Sequence, residues 1–258
     1  MERERQEGKR SSVAFSALGL ASLVLVWQLL GTLRIVSAAS LPSPWSVARA
    51  LPTVLGDHEF LDAAVDTATS WGVSVLIGSA VAIFIGLVAS SITFLQRPTE
   101  VVVNTFRSVP ATALIPIGIL MFGLGMQMKV SIALYAIFWP ILINTVYGVA
   151  TTEPMRLDAA RSMRWPWWRR QVFVTLPSAV PSILTGVRIA VGISLIVIIS
   201  TELLGARYGV GTVLVQYTQA LRPDVVYAGV LLLGVIGALV FSLLVKLERR
   251  FVRWVPVA

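Results

Sequence analysis

The chain has 258 residues, of which 56% are hydrophobic and only 13% charged; a soluble domain carries about 25% charged residues, so a solvated surface cannot be made from it. No cysteine and a single histidine, His58, exclude a disulfide framework, a thiolate metal site and any multi-histidine cluster. The net charge of +8 fits either a nucleic-acid footprint or membrane topology, and its placement along the chain decides which.

The first ten residues, "MERERQEGKR", are basic, and residues 11–33 then carry no charge at all. A signal peptide has an apolar core of roughly 7–15 residues before its cleavage site, so this longer run predicts a retained spanning helix. The loop at 34–66 opens with "LPSPWSVARAL" (41–51), turn residues followed by an amphipathic pattern, which predicts a short helix on the outer surface. A spanning helix needs about 20 apolar residues, and the next spans fall at 67–92, 101–123 and 129–150. The second span places Ser74, Gly78, Ala82, Gly86 and Ser90 four residues apart, a small-residue ridge that lets backbones approach. The third contains Pro110 and Pro116, each of which removes a backbone hydrogen bond and predicts an interruption, either a kink or a discontinuous helix lining a path. Asn144 is a rare polar group in the fourth span.

A loop at 151–178 separates these from a fifth span, 179–203, and a sixth, 224–246. The fifth contains Arg188 and ends at Glu202; an Arg at the bilayer centre costs about 2.5–3.5 kcal/mol, so Arg188 must lie toward one end or face protein or water. Gly186, Ala190 and Ser194, and then Gly234, Ala238 and Ser242, repeat the ridge. Each ridge serves packing within the chain or contact with a second copy.

With both termini in the cytoplasm, six spans put fourteen Lys and Arg on the inside and five on the outside, as the positive-inside rule requires. The charge is therefore topology, and no nucleic-acid partner is expected. The expected fold is all-α, a single polytopic domain of six transmembrane helices in the cytoplasmic membrane. Pro110, Ala113, Pro116, Asn144 and Glu202 are the candidate lining of a translocation path, with Glu202 at the outer boundary.

The 151–178 loop is the polar interruption: "TTEPMRLDAARSM" followed by "RWPWWRRQVFVTLP". Glu153-Pro154 is a helix start, and Met155, Ala159 and Met163 share one face at i, i+4 and i+8. Pro166 disfavours helical geometry at Trp165, so a first helix ends near Met163 and a second runs from Pro166 to about Thr175, broken by Pro177. Such a pair either lies on the membrane, with Trp165, Trp167 and Trp168 at the interface and Arg meeting anionic lipid, or presents a small-residue knob to a cytoplasmic partner.

These residues resemble the permeases of ABC importers, whose loop consensus is E-A-A, three residues, G, nine residues, I, one residue, L-P. Here the string is Asp158-Ala159-Ala160, then Arg164, then Val174 and Leu176-Pro177, with both spacings kept. "LPSPWSV", "RSVPATALIPIGILMFGLG", "FWPILINTVYGV", "LPSAVPSILTGVRIA", "TELLGARYGVG" and "LERRFVRW" extend the resemblance, which is to the nitrate/sulfonate/taurine type, over nearly the whole chain. Two residues depart from it: Asp158 for Glu, and Arg164 for a glycine that suits a left-handed helix end.

The resemblance implies a type I importer permease whose ATPase-coupling residues are Met155, Asp158, Ala159, Ala160, Arg161, Met163 and Trp168. It implies ABC ATPase subunits, an extracytoplasmic substrate-binding protein, a second copy of the chain and membrane lipid as partners. The chain has no G-x-x-x-x-G-K-[S/T] phosphate loop. It therefore needs no cofactor of its own and is no enzyme; ATP and Mg belong to partner subunits. The solute would be an oxyanion, a sulfonate or a small organic molecule. The competing expectation is a self-powered carrier or channel using Arg188, Glu202 or Asp224, against which stands the lack of an obvious membrane-buried charge pair in the sequence.

Overall fold

The computed structural model describes residues 15, 18–19, 21–33, 36–37 and 39–251. The basic N-terminal segment, most of the first half of the 11–33 span, Arg34, Arg253 and Trp254 lie outside the described residues. Among the described residues all regular structure is helical. The chain divides into two compact units, Met1–His58 with Leu214–Leu233, and Glu59–Val213 with Gly234–Ala258. Lipid supplies no hydrophobic force to gather helices into one core, so a chain without a linker can still divide this way.

In the first unit α1 (Ala21–Thr32) is apolar and α2 (Pro44–Leu55) is the amphipathic helix of the 34–66 loop. Ser43 caps α2 by accepting from the Ser46 N–H at 3.2 Å, and Pro44 occupies the first turn, where no backbone donor is missed. Trp27 donates from Nε1 to the Pro42 carbonyl at 2.9 Å, and Tyr227 donates to the Ser40 carbonyl at 3.0 Å. These two bonds fix the loop between α1 and α2. The Tyr217 hydroxyl bonds the Asp57 carboxylate.

The second unit is built around α6 (Met126–Ala150), which packs on α3 (His58–Ser91) and on α9 (Leu176–Leu204). Both small-residue ridges are used inside the chain. A side chain at Gly78 would meet Ile137, one at Gly86 would meet Thr145, and Ala82 and Ala190 are buried with Ile137 and Ile141. The Ser74 and Ser194 hydroxyls bond each other at 2.9 Å where the ridges of α3 and α9 come together. The third ridge, on α11 (Pro223–Phe251), is different: Gly234, Ala238 and Ser242 are exposed.

α3 has 34 residues, a length of about 51 Å against a hydrocarbon core of about 30 Å, so its polar first turns run beyond the membrane. Among the described residues four helices are long and apolar enough to cross, and a bent pair counts as a fifth if it is one span. That pair is the third span: Arg97–Phe106 of α4 (Thr93–Phe106) meets the segment Ala111–Phe122 at 75°. The break lies at Arg107–Pro110, with Pro110 opening a 3₁₀ turn (Ala111–Leu114) ahead of α5 (Ile115–Phe122). Pro116 interrupts nothing, because it sits in the first turn of α5. At the break the Phe106 carbonyl accepts from the Val109 N–H at 3.1 Å and from the Tyr135 hydroxyl of α6 at 2.6 Å, while Phe106 stacks on Trp139 at 5.7 Å.

Candidate functional site

The polar loop folds as α7 (Pro154–Ser162) and α8 (Trp167–Arg170), followed by a π turn (Gln171–Thr175) leading into α9. Pro154 sits in the first turn of α7 and Glu153 precedes it. Pro177 does not break the second helix. A proline there cannot donate and crowds the carbonyl four residues back, at Phe173. The wider π turn at Gln171–Thr175 absorbs both problems, so helix is continuous from Trp167 to Leu204. The second half of the loop is therefore continuous with the fifth span.

α7 ends on Arg164, whose φ is 54°. The Trp165 N–H bonds the Ala160 carbonyl at 3.1 Å and the Arg164 N–H bonds the Arg161 carbonyl at 2.9 Å, the paired pattern of a Schellman stop. Arg164 thus occupies the left-handed position that the family glycine suits, at a cost of roughly 1–2 kcal/mol for a residue with a Cβ. Arg164→Gly should therefore raise the unfolding temperature of the detergent-solubilised chain by about 2–4 °C. An unchanged or lower melting temperature would mean that the Arg164 side chain offsets the strain.

The helix sorts its residues into two faces. Ala160 is 1% exposed, with α7 packed against the π turn. Met155 is 74% and Met163 59% exposed, and Asp158, Ala159, Arg161 and Trp168 are exposed with them. Arg161 donates to Asp158 at 2.8 Å, and Arg156 to Glu153 at 2.9 Å, both in the open. Exposed pairs of this kind contribute about 0–1 kcal/mol, so they orient the surface more than they stabilise it. Of the seven predicted coupling residues, six are exposed and Ala160 seats the helix.

The five predicted path residues do not converge. Pro110, Ala113 and Pro116 are exposed along the broken span. Asn144 is half-buried; it donates to the Pro140 carbonyl of its own helix at 2.8 Å, and its Cβ lies against Gly186 of α9, so it is part of the α6–α9 contact.

Glu202 is only 1% exposed, and Lys129, 3% exposed, donates to its Oε1 at 2.9 Å. The expectation that no charge pair is buried is thereby corrected: the partner is a lysine in the first turn of α6, 73 residues away in the chain. Thr67 of α3 donates to the same carboxylate at 2.8 Å and accepts from the Val210 N–H at 2.9 Å. The Gly211 N–H donates to Oε2 at 3.1 Å, and Lys129 also donates to the Tyr208 carbonyl at 3.1 Å. The carboxylate lies at the start of α10 (Val210–Gln219), where free N–H groups favour an anion. Gly209 has φ +125° and, like Gly211, touches the Glu202 side chain where any Cβ would collide. "TELLGARYGVG" is thus a loop folded over its own glutamate, tied further by the Arg207 N–H to the Leu124 carbonyl at 2.9 Å. Arg188 is likewise paired, with Glu248 of α11 at 3.1 Å, which is how the fifth span tolerates it.

Residues 62–253 match the family described as "Binding-protein-dependent transport system inner membrane component". The taurine transport system permease protein of Escherichia coli K12 is 32% identical, with 94% of this chain and 90% of that protein covered. The putative aliphatic sulfonates transport permease protein of Bacillus subtilis 168 is 28% identical, covering 91% of this chain and 85% of that protein. Among solved structures, a bacterial ABC transporter that imports alginate matches at a TM-score of 0.67 and 16% identity, covering 96% of this chain and 99% of that one. The inward-facing methionine ABC transporter MetNI matches at 0.63 and 19%, covering 84% and 99%. The fold is that of ABC importer permeases. The chain is a multi-pass protein of the cytoplasmic membrane, and it belongs to the binding-protein-dependent transport system inner membrane component family, as a permease of the sulfonate/taurine type.

Proposed function

We propose that this permease imports a small organic oxyanion of the sulfonate class, driven by separate ABC ATPase subunits docked on the exposed face of α7. The observation that carries the reading is the two-faced helix: Ala160 holds α7 against the chain while Met155, Asp158, Ala159, Arg161 and Met163 remain uncovered. Exposed methionines beside a small residue suit insertion into a groove. Unbroken helix from Trp167 to Leu204 then supports transmission: an ATPase pair closing on ATP and Mg would move α7, and α9 with it. A packed interface with two arrangements converts such a shift into alternating access. Sulfonate and taurine transport by the two relatives supports the solute class, with an extracytoplasmic binding protein delivering the solute and a second copy of the chain completing the path.

Ala159→Arg tests the docking face without touching the buried seat. In proteoliposomes holding the complete transporter and binding protein, with taurine as the probe, ATP-dependent uptake should fall at least about 30-fold. That is the effect of losing about 2 kcal/mol at the centre of an interface. Uptake that continues without ATP, or is unchanged by Ala159→Arg, overturns the reading in favour of a self-powered carrier with α7 lying on the lipid surface.

A further inference from the structure

A cavity of about 490 Å³ opens between α4 and α6, within the size range of small-molecule sites. Arg97, Glu100 and Asn104 of α4 and Arg107, which caps its C-terminus, line one side, and Tyr147 and Ala150 line it from α6. The first four stand at i, i+3, i+7 and i+10, which is one stripe of the helix and its cap. Their side chains have no hydrogen bond or ion pair among the described residues. Lys129, Arg188 and Glu202, by contrast, are each paired. Ionisable side chains beside a cavity in a spanning segment mark binding or transit sites by default, and here the helix is also discontinuous, with its break at Arg107–Pro110.

We propose that this cavity is an oxyanion site that takes a sulfonate or phosphate group. Two guanidiniums face one carboxylate, so the stripe carries net positive charge. Arg97 and Arg107 lie about 15 Å apart along the axis, too far to grip one small head together. Arg107 and Asn104 are one turn apart and form the principal station, with a planar donor fork and an amide. Arg97, offset by Glu100 one turn away, forms a second and weaker station. The oxyanion has two possible sources, the transported solute or the headgroup of an anionic lipid; as a solute site the cavity rests on the importer reading.

The complete complex in nanodiscs of phosphatidylcholine, with ethanesulfonate as the probe, tests the site by thermal unfolding. Ethanesulfonate at about ten times its Kd should raise Tm by about 3 °C, and Arg107→Gln should abolish the shift. Arg107→Lys, which keeps the charge without the fork, should restore only part of it. A parallel set of nanodiscs containing phosphatidylglycerol separates the sources: a shift seen only there, and lost in Arg107→Gln, assigns the oxyanion to lipid. The absence of a shift with either probe, or an equal shift in Arg107→Gln, overturns the proposal. ATP-dependent uptake by the same complex reports on the importer reading separately, so an active transporter with no shift sinks the cavity alone.

Discussion

Lys129→Met should be among the most destabilising single substitutions in this protein. It leaves the Glu202 carboxylate inside the chain without its cation, and breaking a buried pair from one side costs about 3–5 kcal/mol. Thr67 and the Gly211 N–H still donate to the carboxylate, but two neutral donors do not replace a charge. The expected fall in melting temperature in detergent is roughly 10 °C. The double variant Lys129→Met, Glu202→Gln should lose much less than the sum of its parts, because it removes both charges and keeps a group that can accept from Thr67 and Gly211. If the single variant melts within about 1 °C of the parent, or if the two substitutions are additive, the pair does not hold this end of the bundle together. The knot ties α3, α6, α9 and the start of α10 to one side chain. Its loss should therefore also loosen the 205–209 loop, seen as faster amide exchange there.

Gly186→Leu should be comparably severe for a different reason. A Cβ at Gly186 would lie 2.8 Å from the Asn144 Cβ and 3.2 Å from both the Ile141 Cα and the Pro140 carbonyl oxygen. Backbone atoms cannot rotate away, so α6 and α9 would have to separate along their whole contact. Overpacking costs about 1–3 kcal/mol, and the upper end applies where two long helices must part. Gly192, six residues on in the same helix, has nothing within 4 Å and is exposed, so Gly192→Leu is the control for helix propensity and added hydrophobicity. Denaturation in mixed micelles should show Gly186→Leu strongly destabilised and Gly192→Leu near the parent. Equal behaviour of the two would mean that the small-residue ridge is not what sets the α6–α9 distance.

The ridges show where sequence reading stops. Four-residue spacing identified Gly78, Ala82, Gly86, Gly186 and Ala190 as close-approach positions, because small residues in an apolar helix have few other uses. It left open whether they met helices of this chain or a second copy. The structure assigns the α3 and α9 ridges to α6 and leaves the one on α11 exposed. Proline followed the same pattern. Composition flagged Pro110, Pro116 and Pro177 alike, yet only Pro110 marks a break, since Pro116 falls in a first turn and a π turn accommodates Pro177. Which turn a proline occupies depends on where the helix starts, and that is set by packing.

The sequence by itself determined the class, the solvent and the family: charge density and apolar run length fix a membrane protein, and the spacing from Asp158 to Pro177 marks the loop. These are local or additive properties, legible without knowing who touches whom. Only the tertiary structure decided that Ala160 turns inward while Ala159 faces out, that Arg164 bears a left-handed backbone, and that Lys129 meets Glu202. It also gathered Arg97, Glu100, Asn104 and Arg107 beside one cavity. Each depends on what a residue packs against or pairs with across the chain. For the charge pair the reason is sharpest: in a low-dielectric interior the cost or gain of a polar group depends on its nearest partner, and for Lys129 that partner comes from a helix far along the chain.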